Sequence, residues 1–363
     1  MNRVNTMQNS PLLKQQIPKK QIATTDLKVD TLGFGCAPLG NLYHSISDDE
    51  SKAVLNAAWQ AGFRHFDTAP HYGQGLSERR TGDLLRPLQG KDYILSSKVG
   101  RILKPAGYAK ERHGFVSPMP FDIHYDYSYD GIMRSFEDSL QRLGLDRIDI
   151  LYMHDIGRDT HGAENDKHFP IAMQGGYKAM DELRSQGLVK AIGLGVNEYQ
   201  VCEQAMDHGD WDCFLLAGRY SLLEQASLTT FLPKCQTRQC SVIVGGPYNS
   251  GILATGVRGK GIANYNYAPA SAEIIERVAK IETICDDYQV TLAAAALQFP
   301  LAHPSVVSVI PGLGNVSRIQ KTIDLFNQSI PSEFWQSLKT ANLLSEDAPV
   351  PAITKLSSIE NAN

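Results

Sequence analysis

The sequence lacks the features that mark several classes of protein. Its 363 residues include only six cysteines, none in a Cys-x-x-Cys pair and none beside paired histidines, so a metal site is not expected. No apolar run reaches the roughly 20 residues that a membrane-spanning helix needs. A net charge of −4 offers no basic excess for binding nucleic acid. We therefore expect a cytoplasmic protein with reduced, buried thiols that binds neither metal, membrane nor nucleic acid.

The composition is otherwise ordinary for a globular protein, with 42% hydrophobic and 20% charged residues. Residues 1–25 carry no acidic residue and no long apolar run, which predicts a flexible leader and leaves an organellar transit peptide as the alternative. We expect residues 26–346 to form a single domain and residues 347–363 to form a solvated tail.

Short apolar segments alternate with helical patterns along most of the chain. The spacing from Ser47 to Glu50 is that of a capping box and predicts a helix that ends at Gly62. Eight strands alternating with helices indicate the α/β class and a (β/α)8 TIM barrel of parallel strands, with an extra C-terminal helix and long loops at the carboxyl face. Residues 27–30 and 31–34 are predicted to form a short hairpin or the first strand, and the later predicted strands are 63–67, 93–98, 148–154, 190–195, 213–217, 241–245 and 306–310.

Four polar side chains stand where early strands end. Asp67 closes the second predicted strand, Lys98 the third and His154 the fourth, while Tyr72 lies in the loop after the second. The carboxyl ends of the strands carry the active site in barrels of this kind. An acid, a phenol, an ammonium and an imidazole at one edge can move a proton beside a hydride, so these residues are the candidate catalytic group.

The sequence around these residues resembles that of the aldo-keto reductase family. The resemblance rests on Asp-Thr-Ala-Pro-His-Tyr-Gly at 67–73 and Gly-Leu-Asp-Arg-Ile-Asp at 144–149, and it covers roughly residues 31–325. It implies a barrel fold and a nicotinamide cofactor that carries the hydride. It also implies that Tyr72 exchanges a proton with substrate and that Lys98 lowers the pKa of this phenol, ordinarily near ~10. Asp67 would hold Lys98, and His154 would orient the reacting oxygen.

The resemblance further implies where the cofactor lies. Asn197 matches the family's carboxamide-binding Asn, whereas Val196, Ala217 and Gly245 depart from the Ser, Gln and Tyr that are usual at these positions. The loop after the seventh strand is similar to the family's cofactor-covering loop. Its residues expected along the pyrophosphate path are Gly246, Pro247, Asn249, Ser250, Gly251 and Leu253.

A glycine-containing turn opens the last barrel helix. Arg318 matches the family's adenosine-phosphate Arg, and Gly312 and Gly314 permit phosphate to approach the helix N-terminus closely. Gly312 stands where members that prefer the 2′-phosphate often carry Lys, and Thr322 replaces a common Asn. One cation fewer weakens recognition of that phosphate, so NAD is the expected cofactor and NADP the alternative.

A long segment, residues 99–127, shows little periodicity and is rich in Gly, Pro and aromatic residues. Structureless loops of this length are usually functional, and aromatic residues distinguish it from a disordered insertion, so we predict a substrate lid. Its expected substrate contacts are Tyr125 and Tyr127, and Arg219 after the sixth strand is a third.

Within the family, residues 216–225 and 245–251 are most similar to D-threo-aldose 1-dehydrogenases, which oxidise sugars such as L-fucose, and to the related pyridoxal 4-dehydrogenase. This implies oxidation of C1 of a cyclic hemiacetal to a lactone, with an aldose as the expected substrate. Pyridoxal, which also closes to a hemiacetal, and general aldehyde reduction are alternatives. A further alternative is a nicotinamide-binding regulatory subunit without turnover. The unusual residues Ala217 and Gly245 favour it, whereas the complete catalytic group argues against it. In either case the protein is expected to be a monomer or a homo-oligomer.

Overall fold

Runs of apolar, often β-branched residues form eight parallel strands in the computed structural model, which describes residues 16–259 and 261–352. Neighbours in the sheet follow chain order, and bridges from Leu32 to Val309 and from Gly35 to Gly312 join the last strand to the first. The predicted barrel is thus confirmed. Its strands are β1 Phe34–Gly35, β2 His65–Asp67, β3 Ile94–Val99, β4 Ile150–His154, β5 Ala191–Val196, β6 Cys213–Ala217, β7 Ser241–Gly245 and β8 Val306–Ile310.

Helices cover the outside of this barrel. The predicted capping box is present, because the Ser47 hydroxyl accepts from the Glu50 amide while the Glu50 carboxylate accepts from the Ser47 amide. An extra helix follows the last barrel helix, as predicted. The α-helices are Asp48–Ala61, Leu76–Leu85, Tyr129–Leu143, Arg158–His161, Asn165–Ile171, Tyr177–Ser185, Tyr199–Ala205, Phe231–Thr237, Ile252–Thr255, Ala272–Asp287, Leu292–Gln298, Val316–Asn327 and Ser332–Thr340.

Alternation along each strand decides which side chains reach the barrel interior. Ile94, Ile150 and Tyr152 belong to one buried cluster inside the barrel, whereas the residues between them pack outward against helices. The same alternation directs Lys98, four residues after Ile94 in β3, and His154, two residues after Tyr152 in β4, inward. The strand period therefore brings two predicted catalytic side chains to the interior of the barrel mouth.

The N-terminal prediction is wrong for residues 16–25. Strand Lys19–Gln21 pairs antiparallel with strand Lys28–Asp30, and Ile22 packs in the same interior cluster as Ile94. This hairpin closes the amino-terminal end of the barrel, because its apolar side chains find burial there. Ala348, in the predicted tail, is likewise buried. The rest of the predicted leader and tail, residues 1–15 and 353–363, lies outside the described residues.

The segment predicted as a structureless lid contains regular structure instead. Strand Arg101–Pro105 pairs antiparallel with strand Phe121–Tyr125, and strand Glu111–Arg112 pairs with strand Phe115–Val116. We call residues 101–125 the β3–β4 hairpin. Antiparallel pairing satisfies the backbone groups that a bare loop would leave to water, and its short strands escape a search for periodicity.

Three further features concern the helices, the possible metal ligands and the cysteines of the described residues. No helix among them is long and apolar enough to cross a membrane. The same part of the chain holds no group of three or more His, Cys, Asp or Glu residues arranged for a metal ion. All six cysteines are buried and unpaired.

Candidate active site

Two loops lock together to place Tyr72. Gly73 adopts φ 64°, and a Cβ at this residue would lie 2.4 Å from the carbonyl oxygen of Gly40. Only glycine tolerates both the left-handed backbone and this approach. Behind the loop, the Ser77 hydroxyl donates to the Cys36 carbonyl at 2.8 Å. The loop after β2 is therefore fixed against the loop after β1, with Tyr72 at the barrel mouth.

The Lys98 ammonium connects the acid and the phenol. It donates to Asp67 Oδ2 at 2.7 Å, to the Thr68 carbonyl at 2.9 Å and to the Tyr72 hydroxyl at 3.1 Å. These three bonds use every proton of the ammonium, which is 1% exposed. The other oxygen of Asp67 accepts from the Ser96 hydroxyl at 2.7 Å. Lys98 thus has no freedom to leave Tyr72.

Burial outweighs the predicted effect of Lys98 on the pKa of Tyr72. Burial raises the pKa of Tyr72 above its ordinary value, and the Lys98 charge offsets only part of that effect. Burial alone would lower the pKa of Lys98, but the charge of Asp67 and the contacts with Tyr72 hold it above the usual value. At neutral pH the pair is therefore a neutral phenol beside an ammonium. Tyr72 can donate its proton as it stands and must first lose it to act as a base.

His154 faces Tyr72 across the mouth. Their ring centroids are 6.2 Å apart with the planes at 89°, and the imidazole is buried. Burial, followed by the positive charges of Arg101 and Lys98, holds the pKa of His154 well below its ordinary value. A neutral imidazole in this position can orient a substrate oxygen by hydrogen bonding without carrying a charge.

Two charged residues near His154 were not predicted as site residues. Asp155 directly follows it, and the Asp155 carboxylate forms a buried ion pair with Arg101 at the start of the β3–β4 hairpin. Burial raises the pKa of Asp155, while Arg101 lowers it. Its position directly after a strand-end His could have identified Asp155 as a site residue. Its pairing with Arg101 could not be seen in the sequence, because the two residues are 54 positions apart.

Aromatic side chains form one wall of the mouth. His71, beside Tyr72, contacts Phe115 of the β3–β4 hairpin with ring centroids 5.2 Å apart, and His154 with centroids 5.8 Å apart. Burial holds the pKa of His71 well below its ordinary value. The ring of Phe115 also lies 6.2 Å from that of Tyr72. The hairpin thus brings an apolar surface to the phenol.

The two predicted substrate tyrosines take different positions. Tyr127 is buried, and its hydroxyl donates to the His154 carbonyl at 2.8 Å. This does not fit a direct substrate contact, so we reassign Tyr127 to supporting the end of β4. Tyr125 is half-buried under the Arg101 guanidinium, which lies 5.3 Å from its ring centroid. Tyr125 stays a candidate substrate contact.

A second hairpin covers the opposite side of the mouth. Strands Asn264–Tyr265 and Ala268–Pro269 form what we call the tip hairpin. The hydroxyl of Tyr267 donates to Asn197 Oδ1 at 3.2 Å, and the Tyr267 amide donates to the Ser250 hydroxyl at 2.9 Å. Arg219, predicted as a substrate contact, donates to Asn266 at 2.9 Å. Sequence reasoning missed Tyr267, which lies 70 residues from Asn197.

Predicted cofactor residues after β7 divide into two kinds. The Asn249 side chain donates to the Gly218 carbonyl at 3.0 Å and accepts from the Ser221 hydroxyl, so it ties two loops together. Leu253 is buried. Gly246 is exposed at the mouth, with φ 54°. Backbone at Pro247, Ser250 and Gly251 remains the predicted lining, whereas the side chains of Asn249 and Leu253 face the protein.

The predicted phosphate turn leads from β8 into helix Val316–Asn327. A Cβ at Gly314 would lie 2.8 Å from Pro38 Cβ, and one at Gly312 would lie 3.2 Å from Pro38 Cγ. Arg318 is exposed in the first turn of the helix. Glycine at 314 avoids a clash with Pro38, and the arrangement fits a phosphate at the helix N-terminus with Arg318 as the added cation.

Comparisons with known proteins place this site in a family. The Aldo/keto reductase family model matches residues 31–343. A pyridoxal 4-dehydrogenase from Microbacterium luteolum is 45% identical, covering 90% of this chain and 98% of that protein. A D-threo-aldose 1-dehydrogenase from a Pseudomonas species is 37% identical, covering 89% and 97% respectively. The holo form of an aldo-keto reductase from Bacillus halodurans shares the fold, with a TM-score of 0.68 and 23% identity over 94% of this chain and 99% of that one.

Proposed function

The chain belongs to the Aldo/keto reductase family and is an NAD(P)-dependent oxidoreductase, and on that premise we propose that it oxidises the hemiacetal carbon of a cyclic substrate to a lactone. Two well-covered relatives are named as dehydrogenases, one of an aldose and one of pyridoxal. Both compounds close to hemiacetals in water. One reaction therefore accounts for both names.

The contacts of Tyr72 carry the proposal. Its hydroxyl oxygen accepts a hydrogen bond from Lys98 at 3.1 Å, so a negative charge on that oxygen would be stabilised. In the oxidation, the hemiacetal hydroxyl gives its proton to the deprotonated Tyr72 oxygen. A bound nicotinamide cofactor would supply the hydride acceptor for that carbon, and the carbon–oxygen bond would become a carbonyl. His154 would hold the reacting oxygen by hydrogen bonding, and Asp67 would keep Lys98 in place.

The cofactor would lie along the carboxyl ends of β5 to β8. We assign its carboxamide to Asn197, its pyrophosphate to the backbone after β7, and its adenosine phosphate to Arg318 and the turn at Gly312. NAD remains the favoured form, because Gly312 supplies no side-chain cation and Arg318 is the only cation in the turn at 310–318. The Asn197 side chain already uses both of its polar atoms, because Nδ2 donates to Asp155 and Oδ1 accepts from the Tyr267 hydroxyl. The carboxamide of the cofactor would therefore take the place of the Tyr267 hydroxyl at Oδ1.

The comparisons change which candidate substrate is favoured. An aldose was expected from the sequence, but identity to the pyridoxal dehydrogenase is 45% against 37% to the aldose dehydrogenase. The half-buried ring of His71 beside Tyr72 also suits a flat ring. We therefore place pyridoxal first and an aldose such as L-fucose second.

A panel assay tests the proposal. The purified protein would be mixed with NAD or NADP and with pyridoxal, L-fucose, L-galactose or D-arabinose, and absorbance of the reduced nicotinamide would be followed. Growth with pyridoxal or with a sugar supports hemiacetal oxidation and identifies the substrate. Turnover of open-chain aldehydes in the reductive direction alone would contradict it, and cofactor binding without any turnover would favour the regulatory alternative.

A further inference from the structure

A carboxylate without a part in the proposed proton transfer lies against His154. Asp155 turns the chain at the end of β4 with φ 48°, and its amide donates to the Gly195 carbonyl at 2.9 Å. Aspartate tolerates this left-handed conformation better than most residues do. The turn folds the carboxylate back toward the preceding ring, so that its Oδ2 lies 3.4 Å from His154 Nε2.

The carboxylate is held from two further sides. Arg101 bonds Oδ2, with both side chains nearly buried, and Asn197 Nδ2 donates to Oδ1 at 3.3 Å. Removing Arg101 would leave the buried carboxylate without a compensating charge. Asp155 therefore has a fixed position between the imidazole assigned to the substrate oxygen and the amide assigned to the cofactor.

The two nitrogens of the His154 ring face different surroundings. Nδ1 is buried, and no other described residue hydrogen-bonds to it. Nε2 faces the Asp155 carboxylate at 3.4 Å, beyond the ordinary hydrogen-bond range of about 2.7–3.2 Å. A neutral ring carries one proton, and a nearby negative charge draws it to the closer nitrogen. At this distance the carboxylate favours protonation of Nε2, but it does not form a full hydrogen bond with that proton, which stays available to substrate.

We propose that Asp155, held by Arg101, is a positioning residue that fixes the proton of the neutral His154 ring on Nε2. This leaves a correctly placed N–H for the substrate oxygen, whereas a proton on Nδ1 would point away from the mouth and turn Nε2 into an acceptor. The consequence for turnover rests on the proposed function. The position of the proton is a property of the protein alone.

Long-range ¹H–¹⁵N NMR on protein with ¹⁵N-labelled histidine measures this directly, with His154→Gln used to identify the resonances. The wild type is expected to carry the proton on Nε2, and Asp155→Asn is expected to lose that preference. Asp159→Asn removes a more exposed carboxylate four residues later and serves as the matched control, expected to match the wild type. A proton on Nδ1 in the wild type, which needs no variant to fold, would overturn the proposal.

Kinetics give an independent readout. With a hemiacetal that the wild type oxidises, Asp155→Asn is expected to lower kcat about 10- to 100-fold and to change KM less than about threefold. Arg101→Lys keeps a positive charge beside Asp155 and is expected to restore most of kcat relative to Arg101→Met. An unchanged kcat in a folded Asp155→Asn protein would contradict the proposal. If the wild type oxidises no hemiacetal, the proposed function fails, and the NMR result still decides this inference.

Discussion

The two halves of the barrel mouth are built differently. On the side of β2 to β4, Asp67, Lys98 and His154 are buried, and the Lys98 ammonium is bonded to Asp67 and to the Thr68 carbonyl. On the side of β5 to β8, the contacts come from loops, and Tyr267 at the tip hairpin is 63% exposed. The first half holds its geometry without a ligand. The second presents surfaces that a cofactor would have to complete.

This difference separates the proton-transfer chemistry, on the side of β2 to β4, from the adaptable cofactor surface, on the side of β5 to β8. Atoms that exchange protons need fixed distances, which buried charged networks provide. A cofactor must enter and leave, which exposed loops permit. Changes in the catalytic half should therefore cost far more than changes in the cofactor half.

Replacing Tyr72 by Phe should have the largest effect, because it removes the phenol oxygen that is bonded to Lys98 and assigned to proton transfer. We expect kcat for oxidation to fall by about 10²- to 10⁴-fold with cofactor affinity unchanged. Tyr125→Phe, on the same side of the mouth, is the matched control and should lose less than about tenfold. Full activity in Tyr72→Phe would remove the distinction between the two halves.

The same phenol predicts a pH dependence. Burial raises the pKa of Tyr72, so its deprotonated fraction grows roughly tenfold per pH unit while the pH stays below that pKa. We expect kcat/KM for oxidation to rise with pH and reduction to fall as the protonated form is lost. A kcat/KM for oxidation that rises on acidification would contradict this assignment.

Asp67→Asn should have the next largest effect, on stability as well as activity. It removes the charge that balances the buried Lys98 ammonium, which costs about 3–5 kcal/mol when one partner of a buried pair is lost. Chemical denaturation would measure this. Asp83→Asn breaks an exposed pair with Arg86 and should change stability by less than about 1 kcal/mol. Equal losses in the two variants would show that burial does not set the difference.

Gly312→Lys probes the cofactor half and should have a moderate effect. The new cation would strengthen NADP binding about tenfold relative to NAD, reduced by the contact with Pro38. Fluorescence titration with each cofactor measures the ratio. Gln236→Lys adds the same charge at an exposed position of helix Phe231–Thr237, outside the predicted cofactor loops, so it should leave the ratio unchanged.

Tyr267→Phe should have the smallest effect. It frees Asn197 Oδ1 from one hydrogen bond, so the reduced cofactor should bind up to about threefold more tightly. Tyr265→Phe, in the same tip hairpin but bonded to Glu224, is the matched control. A large loss of affinity in Tyr267→Phe would mean that the cofactor half is as fixed as the catalytic half.

Sequence reasoning worked where a local pattern decides the structure. Buried parallel strands leave apolar runs, and strand-end residues such as Lys98 and His154 inherit their direction from the strand period. It failed where pairing across distant residues decides, as in the β3–β4 hairpin and in the Arg101 contact with Asp155. The net pKa shift of Tyr72 was also missed: Lys98 lowers this pKa as predicted, but burial, which depends on the packed fold, raises it by more.

The most direct test of the account uses the substrate that reacts in the panel assay, labelled with deuterium on its hemiacetal carbon. Mass spectrometry of the reduced cofactor and of the product would follow the label in the wild type and in Tyr72→Phe. We predict one deuterium on the reduced nicotinamide for each lactone formed, and loss of both in Tyr72→Phe. A reduced cofactor without deuterium, or labelled cofactor formed equally well by Tyr72→Phe, would contradict hemiacetal oxidation by this site.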